Sequence, residues 1–299
     1  MSNREESAGP YLALIGVQAF FGSLPVIAKV VLKVVPAFGL VGLRVGITAL
    51  VLVIFQAARG RLWLKNKGDY WRLAILSLFG VTFNQLFFIT GLSLTKASNT
   101  SLLAVTIPIF TLTVSSALGT EKLRGIKIAG IAAAAIGVLL LIDPRNASFS
   151  SQTTIGDLLI IVNSFSFGTY VATSKSVVTR NGAFRSMMWV FVFAAAACVP
   201  LGIYSLSAID LGGLEPLTWL IILYIAIGAT AAPYLLNAWA LARVNPSTVA
   251  VFIYLQPLIG FLLAVIFLGE NVDFKFIIAA ALIFTGVFLV TRRLVPVET

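Results

Sequence analysis

The sequence predicts an all-α integral membrane protein with ten transmembrane helices, and three observations carry this prediction. First, 59% of the 299 residues are hydrophobic and only 11% are charged, whereas a soluble domain carries about 25% charged residues. Second, apolar stretches long enough to cross a bilayer nearly fill the chain. Third, the two halves of the chain repeat the same sequence landmarks. So few charged side chains cannot cover a water-facing surface of ordinary size, so we place the protein in lipid.

Ten segments have the length and apolarity of a spanning helix, which needs about 20 mostly apolar residues. They are residues 10–32, 37–57, 72–94, 97–118, 126–142, 155–177, 184–206, 216–240, 247–268 and 274–291. Turn-forming residues mark the joints between them, as at Asp143-Pro144 and Asn245-Pro246. The first segment follows a short polar stretch without a basic region or a convincing cleavage site, so we expect a retained helix and not a signal peptide.

The distribution of Lys and Arg predicts that both termini are cytoplasmic, because basic residues accumulate in the cytoplasmic loops of membrane proteins. With the N-terminus inside, 15 of the 21 basic residues fall in inside segments. Arg44 lies within the second helix, and the five outside residues are Lys29, Lys33, Lys96, Arg145 and Lys275. Orientation therefore explains the net charge of +10. We expect a multi-pass protein of the cell (inner) membrane and no nucleic-acid partner, because no basic stripe is interleaved with aromatic residues.

The two halves, residues 1–145 and 146–299, are related by a nearly constant shift and form one membrane domain of two repeats. A shift of 149 aligns Pro108 with Pro257, Ser98 with Ser247, Glu121 with Glu270 and Gly137 with Gly286. A shift of 146 aligns Phe21-Gly22 with Phe167-Gly168 and Lys29 with Lys175. Because each half holds five helices, an odd number, the second half must enter the membrane from the opposite side. Inverted repeats of this kind underlie alternating access in many secondary transporters.

The fourth helix of each half has an interior proline and ends in Gly119-Thr120-Glu121-Lys122 or in Leu268-Gly269-Glu270-Asn271. With the five-plus-five repeat, this pattern resembles the ten-helix EamA-type branch of the drug/metabolite transporter superfamily, and within it the bacterial exporters of aromatic amino acids. The resemblance covers essentially the whole chain. It implies a central cavity enclosed mainly by helices 1, 3, 4, 6, 8 and 9, with helices 5 and 10 packed at the side. It also implies export of small metabolites, including aromatic amino acids.

Polar side chains inside a membrane are costly and tend to mark a transport pathway. Primary amides need several partners when buried, whereas Ser and Thr also hydrogen-bond simply between packed helices. Trp239 and Tyr254 adjoin polar positions, where they can stack on an aromatic substrate. The candidate substrate-binding residues are Asn84, Gln85, Phe88, Asn99, Thr106, Asn163, Tyr170, Tyr234, Asn237, Trp239, Tyr254 and Gln256.

Five further residues are candidates for gating. Pro108 and Pro257 remove a helical hydrogen bond and free the carbonyls of Ala104 and Ile253, which makes each proline either a hinge or a static kink. Lys29 and Lys175 form a matched pair near opposite ends of their helices, where they either snorkel to the headgroups or contact a gate. Arg44 is the most deeply placed charge, and we expect a structural or gating partner for it ahead of direct contact with substrate.

The sequence predicts no proton relay built on a carboxylate. Proton-coupled carriers usually depend on a titratable group inside the membrane, but the chain contains no histidine. All eleven carboxylates fall in termini, in loops or at helix ends. Facilitated diffusion or exchange down a substrate gradient is therefore favoured, and a pH gradient alone should not concentrate substrate.

Other classes of membrane protein fit less well. An intramembrane enzyme is disfavoured because HExxH, GxSxG and facing acid pairs are missing. A channel is the other alternative, but a pseudo-symmetric single chain suits a rocking motion better.

We expect no cofactor and no metal, because the chain has one cysteine, Cys198, and no CxxC motif. The expected partners are a small-molecule substrate and the lipid bilayer. Drugs or other neutral metabolites are the alternative substrates, and the oligomeric state stays open, with a monomer possible.

Overall fold

A computed structural model describes residues 8–142, 153–259 and 274–292. These residues form ten helical segments and no strand. Five segments form the first half: α1 (Gly9–Val31), α2 (Ala37–Ala58), α3 (Gly68–Ser77, Leu78–Thr82 and Phe83–Leu94), α4 (Ala97–Leu103 and Thr106–Ala117) and α5 (Gly125–Ile142). The second half follows with α6 (Thr154–Asn181), α7 (Ala183–Leu206), α8 (Pro216–Ala226, Ile227–Ala231 and Ala232–Leu241), α9 (Pro246–Val251 and Phe252–Tyr254, continuing to Ile259) and α10 (Phe274–Thr291).

Each predicted segment coincides with one of these helical segments within a few residues. Among the described residues, seven helices are long and apolar enough to cross a membrane, and three are shorter apolar helices. The largest differences are in α3, which begins at Gly68, and in α6, which extends to Asn181. Charged side chains interrupt the apolar pattern at both places, at Asp69 near the start of α3 and at Arg180 near the end of α6. The structure pairs these two side chains in a salt bridge. Residues 260–268, the predicted end of the ninth segment, lie outside the described residues.

Two five-residue π-helical turns occur at matching positions in the two halves. Leu78–Thr82 interrupts α3 and Ile227–Ala231 interrupts α8, so the two turns are separated by the same 149 residues that align the repeats. Single π turns inside α-helices are often found at functional sites. The turn in α3 also makes a close contact, because a Cβ at Gly80 would lie 2.4 Å from Tyr170 Cδ2.

The helices α4 and α9 are each broken three to five residues before their proline. In α4 the break falls at Ala104 and Val105, and in α9 a 3-10 turn occupies Phe252–Tyr254. The prediction that Pro108 frees the carbonyl of Ala104 needs correction, because this oxygen accepts the Ile107 amide at 3.1 Å. In an unbroken helix Pro108 would leave the Ala104 carbonyl without a hydrogen bond, but the tighter turn before Pro108 supplies the Ile107 amide as its donor.

Equivalent helices of the two halves pack on each other through small residues. The α2–α7 contact is closest at Gly42, where a Cβ would lie 2.6 Å from Gly202 Cα. The α5–α10 contact is closest at Gly286, where a Cβ would lie 2.4 Å from the carbonyl oxygen of Gly130. The small residues on the fifth and tenth helices therefore pack against each other within one chain. Small residues at such an interface allow the helix backbones to approach closely in a membrane.

One polar cluster lies at the end of the bundle where α3 begins and α6 ends. Asp69 accepts hydrogen bonds from Arg180 Nε at 2.9 Å and Nη2 at 2.6 Å, and from Asn181 Nδ2 at 2.7 Å. At the same end of the bundle, Glu121 accepts hydrogen bonds from Lys127 and from the Ser247 hydroxyl. These contacts tie the C-terminal end of α4 to α5 and α9.

A second polar cluster lies at the opposite end of α4. The Asp157 carboxylate accepts hydrogen bonds from Thr95 Oγ1 at 2.6 Å and from Asn99 Nδ2 at 3.1 Å. Lys29 Nζ donates to the carbonyl of Thr95 at 2.6 Å. This cluster joins the ends of α1, α3, α4 and α6, so a carboxylate and a lysine are found at both ends of the bundle.

Candidate functional site

A cavity lies between the helices of the two halves. The space not filled by atoms, including its open mouth, is about 670 Å³. Helices α1, α3, α4, α6, α8 and α9 line it, as the family resemblance implies, and α2 adds Arg44. The lining residues are Phe21, Leu24, Pro25, Arg44, Asn84, Gln85, Phe88, Thr100, Ser101, Ala104, Ile107, Ile160, Asn163, Phe167, Tyr234, Ile253 and Gln256.

A network of amides around the Tyr234 hydroxyl forms one wall of the cavity. Tyr234 Oη lies 2.8 Å from the carbonyl oxygen of Gly80 and 3.0 Å from Asn84 Oδ1, and it accepts a hydrogen bond from Gln85 Nε2 at 3.1 Å. Asn163 Nδ2 donates to the carbonyl of Asn84 at 2.8 Å. The wall is therefore polar and internally bonded, which meets the requirement that buried polar groups have partners. The π turn places the Gly80 carbonyl in this network.

Three aromatic rings form another part of the wall. Phe21 lies edge-on to Phe167 and Tyr234, with ring centroids 6.5 and 5.9 Å apart, and Phe167 and Tyr234 are 6.3 Å apart. Edge-to-face arrangements at these distances are favourable. Because Phe21 and Phe167 are aligned by the repeat, the signal for both was present in the sequence, although neither was selected as a binding residue.

Arg44 is the one charged residue among those that line the cavity, and it is 0% exposed. Its Nε and Nη2 donate to Thr230 Oγ1 at 3.0 and 2.6 Å, and Nη2 also lies 3.4 Å from the Ala229 carbonyl oxygen. Both acceptors belong to the π turn of α8. Nη1 has no hydrogen-bond partner in the described part of the chain. The expected structural partner of Arg44 is thus the α8 π turn.

A second amide contact joins α1 to α9 through the lining residue Gln256. Gln256 Nε2 donates to Gln18 Oε1 at 2.8 Å, and Gln18 is 1% exposed. Gln18 was missed in the sequence, although a primary amide within an apolar run is the signal that selected Asn84 and Gln256.

Of the predicted binding residues, the structure brings six to the cavity: Asn84, Gln85, Phe88, Asn163, Tyr234 and Gln256. Tyr254 lies in a smaller adjoining pocket together with Pro257, and its hydroxyl donates to the Val105 carbonyl at 2.9 Å. Asn237 is buried on α8 but does not line either pocket.

The remaining predicted binding residues have partners elsewhere. Asn99 is held by Asp157 at the end of the bundle. Thr106 donates to the Leu103 carbonyl at 2.7 Å. The Tyr170 hydroxyl lies 3.4 Å from Met187 Sδ, and the Trp239 ring is covered by the Arg243 guanidinium at 4.0 Å.

The predicted gating residues are spread along the bundle. Pro108 is buried directly after the lining residue Ile107. Lys29 belongs to the Asp157 cluster. Lys175 lies half-buried in the last third of α6, on the way to the end that holds Glu121.

The family model described as the EamA-like transporter family matches residues 9–143 and, a second time, residues 154–292. The chain belongs to the EamA-like transporter family. The double match assigns one copy of the family unit to each half of this EamA-like transporter. The protein is therefore a multi-pass membrane transporter of small metabolites.

Relatives of this EamA-like transporter include proteins of bacteria, of archaea and of the plant Arabidopsis thaliana. A "probable amino-acid metabolite efflux pump" of Salmonella typhimurium is 28% identical, covering 93% of each chain. The Escherichia coli protein of the same name is 28% identical, covering 88% of each chain. An "uncharacterized transporter" of Archaeoglobus fulgidus is 29% identical, covering 77% of this chain and 79% of the relative. A solved crystal structure shares the fold, with a TM-score of 0.75 at 20% identity, covering 96% of this chain and 99% of that chain.

Proposed function

We propose that this EamA-like transporter exports amino acids across the inner membrane by alternating access around the central cavity. The observation that carries the proposal is the composition of the cavity wall. It combines four amide side chains, three edge-packed aromatic rings and one guanidinium, and none of its lining residues is a carboxylate. Such a mostly apolar site with a few convergent polar groups suits a small zwitterion.

The two kinds of wall match the two parts of an amino acid. The guanidinium and the amide N–H groups can bind the carboxylate, and the amide oxygens can bind the ammonium group. The rings of Phe21, Phe167 and Tyr234 can contact an apolar or aromatic side chain. Aromatic faces also attract a substrate ammonium group. Two relatives carry the name of amino-acid metabolite efflux pumps, which agrees with this substrate class.

Contacts between repeat-equivalent residues support an inverted two-fold relation of the halves. Phe21 contacts Phe167, Gln85 contacts Tyr234, and Tyr254 contacts Val105. The partners in these pairs are 146, 149 and 149 residues apart, as the repeat requires. Only residues near a two-fold axis contact their own equivalents, so such an axis would pass through the cavity region. Ten spans in two inverted fives account for this arrangement. An even number of spans leaves both termini on one side of the membrane, and the Lys and Arg distribution predicts that this side is the cytoplasm.

The two polar end clusters are suitable gates for alternating access. One contains Asp157, Asn99 and Lys29, and the other contains Glu121, Lys127 and Ser247. In the predicted orientation α4 begins outside, so the Asp157 cluster is the outer gate and the Glu121 cluster is the inner gate. Rocking of one repeat against the other would break the two clusters in turn.

Counterflow in proteoliposomes tests the proposed function. Vesicles loaded with an unlabelled amino acid should transiently accumulate the labelled form, with saturable initial rates, across a panel of aromatic and aliphatic amino acids. Flux that rises linearly with concentration would indicate a channel. If no amino acid exchanges while other metabolites do, amino acids are rejected as the substrate class, but the protein is still a transporter.

A further inference from the structure

We infer that Arg44 binds the carboxylate of the transported substrate, so that a carboxyl group is a requirement for transport. This inference rests on the proposed function, because it assigns a binding residue to the same cavity. It replaces the expectation from the sequence that Arg44 serves first as a structural or gating group.

The charge of Arg44 is not neutralised by the described part of the protein. The salt bridges found there join Lys127 to Glu121 and Arg180 to Asp69, both at the end of the bundle that holds the C-terminus of α4. Arg44 is fully buried, and its hydrogen bonds go to a hydroxyl and a carbonyl. Leaving a buried charge without a counter-charge is strongly unfavourable. An anion that enters the cavity therefore gains most at this residue.

Within the described part of the chain, hydrogen bonds satisfy the guanidinium of Arg44 only in part. Thr230 accepts from Nε and Nη2, which fixes the orientation of the planar group, while Nη1 has no partner in the described residues. A carboxylate that binds Nη1 therefore displaces no existing partner of that nitrogen. Bonds between guanidinium and carboxylate are charge-assisted and stronger than neutral hydrogen bonds.

A purely structural role does not require a cation at this position. Thr48 is one helical turn beyond Arg44 on α2, and its hydroxyl donates to the Ala226 carbonyl at 2.7 Å, just before the same π turn. A neutral side chain thus already joins α2 to α8 here. Arg44 differs from Thr48 in its charge and in lining the cavity, and both differences point to a ligand.

The test in the native protein compares ligands in which either the carboxyl group or the amino group of one amino acid is changed or removed. For phenylalanine, the set is phenylalanine, phenylalaninamide, phenethylamine and 3-phenylpropionate, each tested as a competitor of counterflow and as a stabiliser in thermal unfolding. We expect the amide and the amine to bind about 10- to 100-fold more weakly, as loss of a hydrogen bond to a charged group predicts. The acid without the amino group should retain more affinity than either. An amide that competes as well as the amino acid would overturn the inference and leave the proposed function intact. Absence of counterflow for every amino acid in the panel would contradict both.

Variants separate the charge of Arg44 from its contribution to packing. Arg44→Gln should abolish the preference for a carboxylate over an amide, and Thr48→Val should keep that preference, because only the first removes the cation. If Arg44→Gln does not fold, Arg44→Lys keeps the charge but not the planar fork. It should weaken amino-acid binding by about tenfold and still discriminate against the amide. Unchanged selectivity and affinity in the folded Arg44 variants would contradict the inference.

Discussion

Gln85 Nε2 donates a hydrogen bond to Tyr234 Oη at 3.1 Å, and these two residues are separated by the 149 positions that align the halves of the chain. The contact joins α3 to α8 directly at the cavity wall. Tyr234 also lies within hydrogen-bond distance of Gly80 and Asn84. One hydroxyl therefore holds several polar groups of the first half from a position in the second half.

Replacing Tyr234 with phenylalanine should destabilise the protein. The change leaves the Gln85 amide and the Gly80 carbonyl without their partner, and an unsatisfied buried polar group costs about 1–3 kcal/mol in the free energy of unfolding. Thermal unfolding of the purified protein in detergent measures the effect. Tyr170→Phe is the matched control, because that hydroxyl contacts the weak acceptor Met187 Sδ. Equal stability of the two variants would show that the network contributes nothing.

Two asparagines distinguish the cavity from its surroundings. Asn84→Ala should raise the substrate concentration that gives half-maximal exchange by about tenfold, as loss of one or two hydrogen bonds predicts. Asn237→Ala should leave this concentration nearly unchanged, because Asn237 is buried but does not line the cavity. Initial rates of counterflow measure both. An equal effect of the two changes would place the pathway elsewhere.

The lining is partly readable from the sequence, for a physical reason. Asn84, Gln85, Asn163 and Gln256 were predictable because amides in an apolar run are costly unless they face partners or a cavity. Asn99 follows the same pattern but does not line the cavity, because its amide is satisfied by Asp157, 58 residues away along the chain. Trp239 likewise finds its contact in Arg243. Whether a polar side chain faces the cavity or finds a partner elsewhere in the bundle depends on tertiary contacts, and the periodicity of the sequence does not encode these contacts.

The helices themselves followed from apolarity and from turn residues, but their interruptions did not. The π turns at Leu78–Thr82 and Ile227–Ala231 are changes in backbone hydrogen bonding, and no side-chain pattern marks them. The partnership of Arg44 with Thr230 also escaped prediction, because it joins residues 186 positions apart. The Arg44 contact and the π turn of α8 concern the way α8 meets α2, which is set by three-dimensional packing.

The α2–α7 contact should tolerate no added volume. Gly42→Val places a branched side chain where even a Cβ would lie 2.6 Å from Gly202 Cα, and overpacking of this kind costs about 1–3 kcal/mol. The melting temperature in detergent should fall accordingly. Gly125→Ala serves as the control, because a Cβ there meets nothing within 4 Å. A melting temperature for Gly42→Val as high as that of the control would contradict the packing described for these helices.

The two end clusters should bias the transporter in opposite directions when weakened. Asp157→Asn loosens the proposed outer gate and Glu121→Gln the inner one. A cysteine introduced at Ser101 on the cavity wall reports access, since the native cysteine, Cys198, is buried. An impermeant maleimide added outside intact cells should label Ser101→Cys severalfold faster in the Asp157→Asn background and more slowly with Glu121→Gln. Changes in the same direction would contradict opposed gates.

A pH gradient alone should not concentrate substrate in proteoliposomes. In the described residues, the carboxylates Asp69, Glu121 and Asp157 lie at the ends of the bundle and not on the cavity wall. Among the described residues, no carboxylate lines the cavity where it could couple substrate binding to a proton. Accumulation of a labelled amino acid driven only by a pH difference would show that coupling exists and would reject exchange as the mechanism.

The most direct test asks whether amino acids pass through the cavity. Ala104 lines it at the break in α4, so Ala104→Trp should fill the space while the helices stay folded. We predict saturable counterflow of a labelled amino acid by the native protein and none by Ala104→Trp at an unchanged melting temperature. Equal counterflow by the two proteins would contradict transport through this cavity.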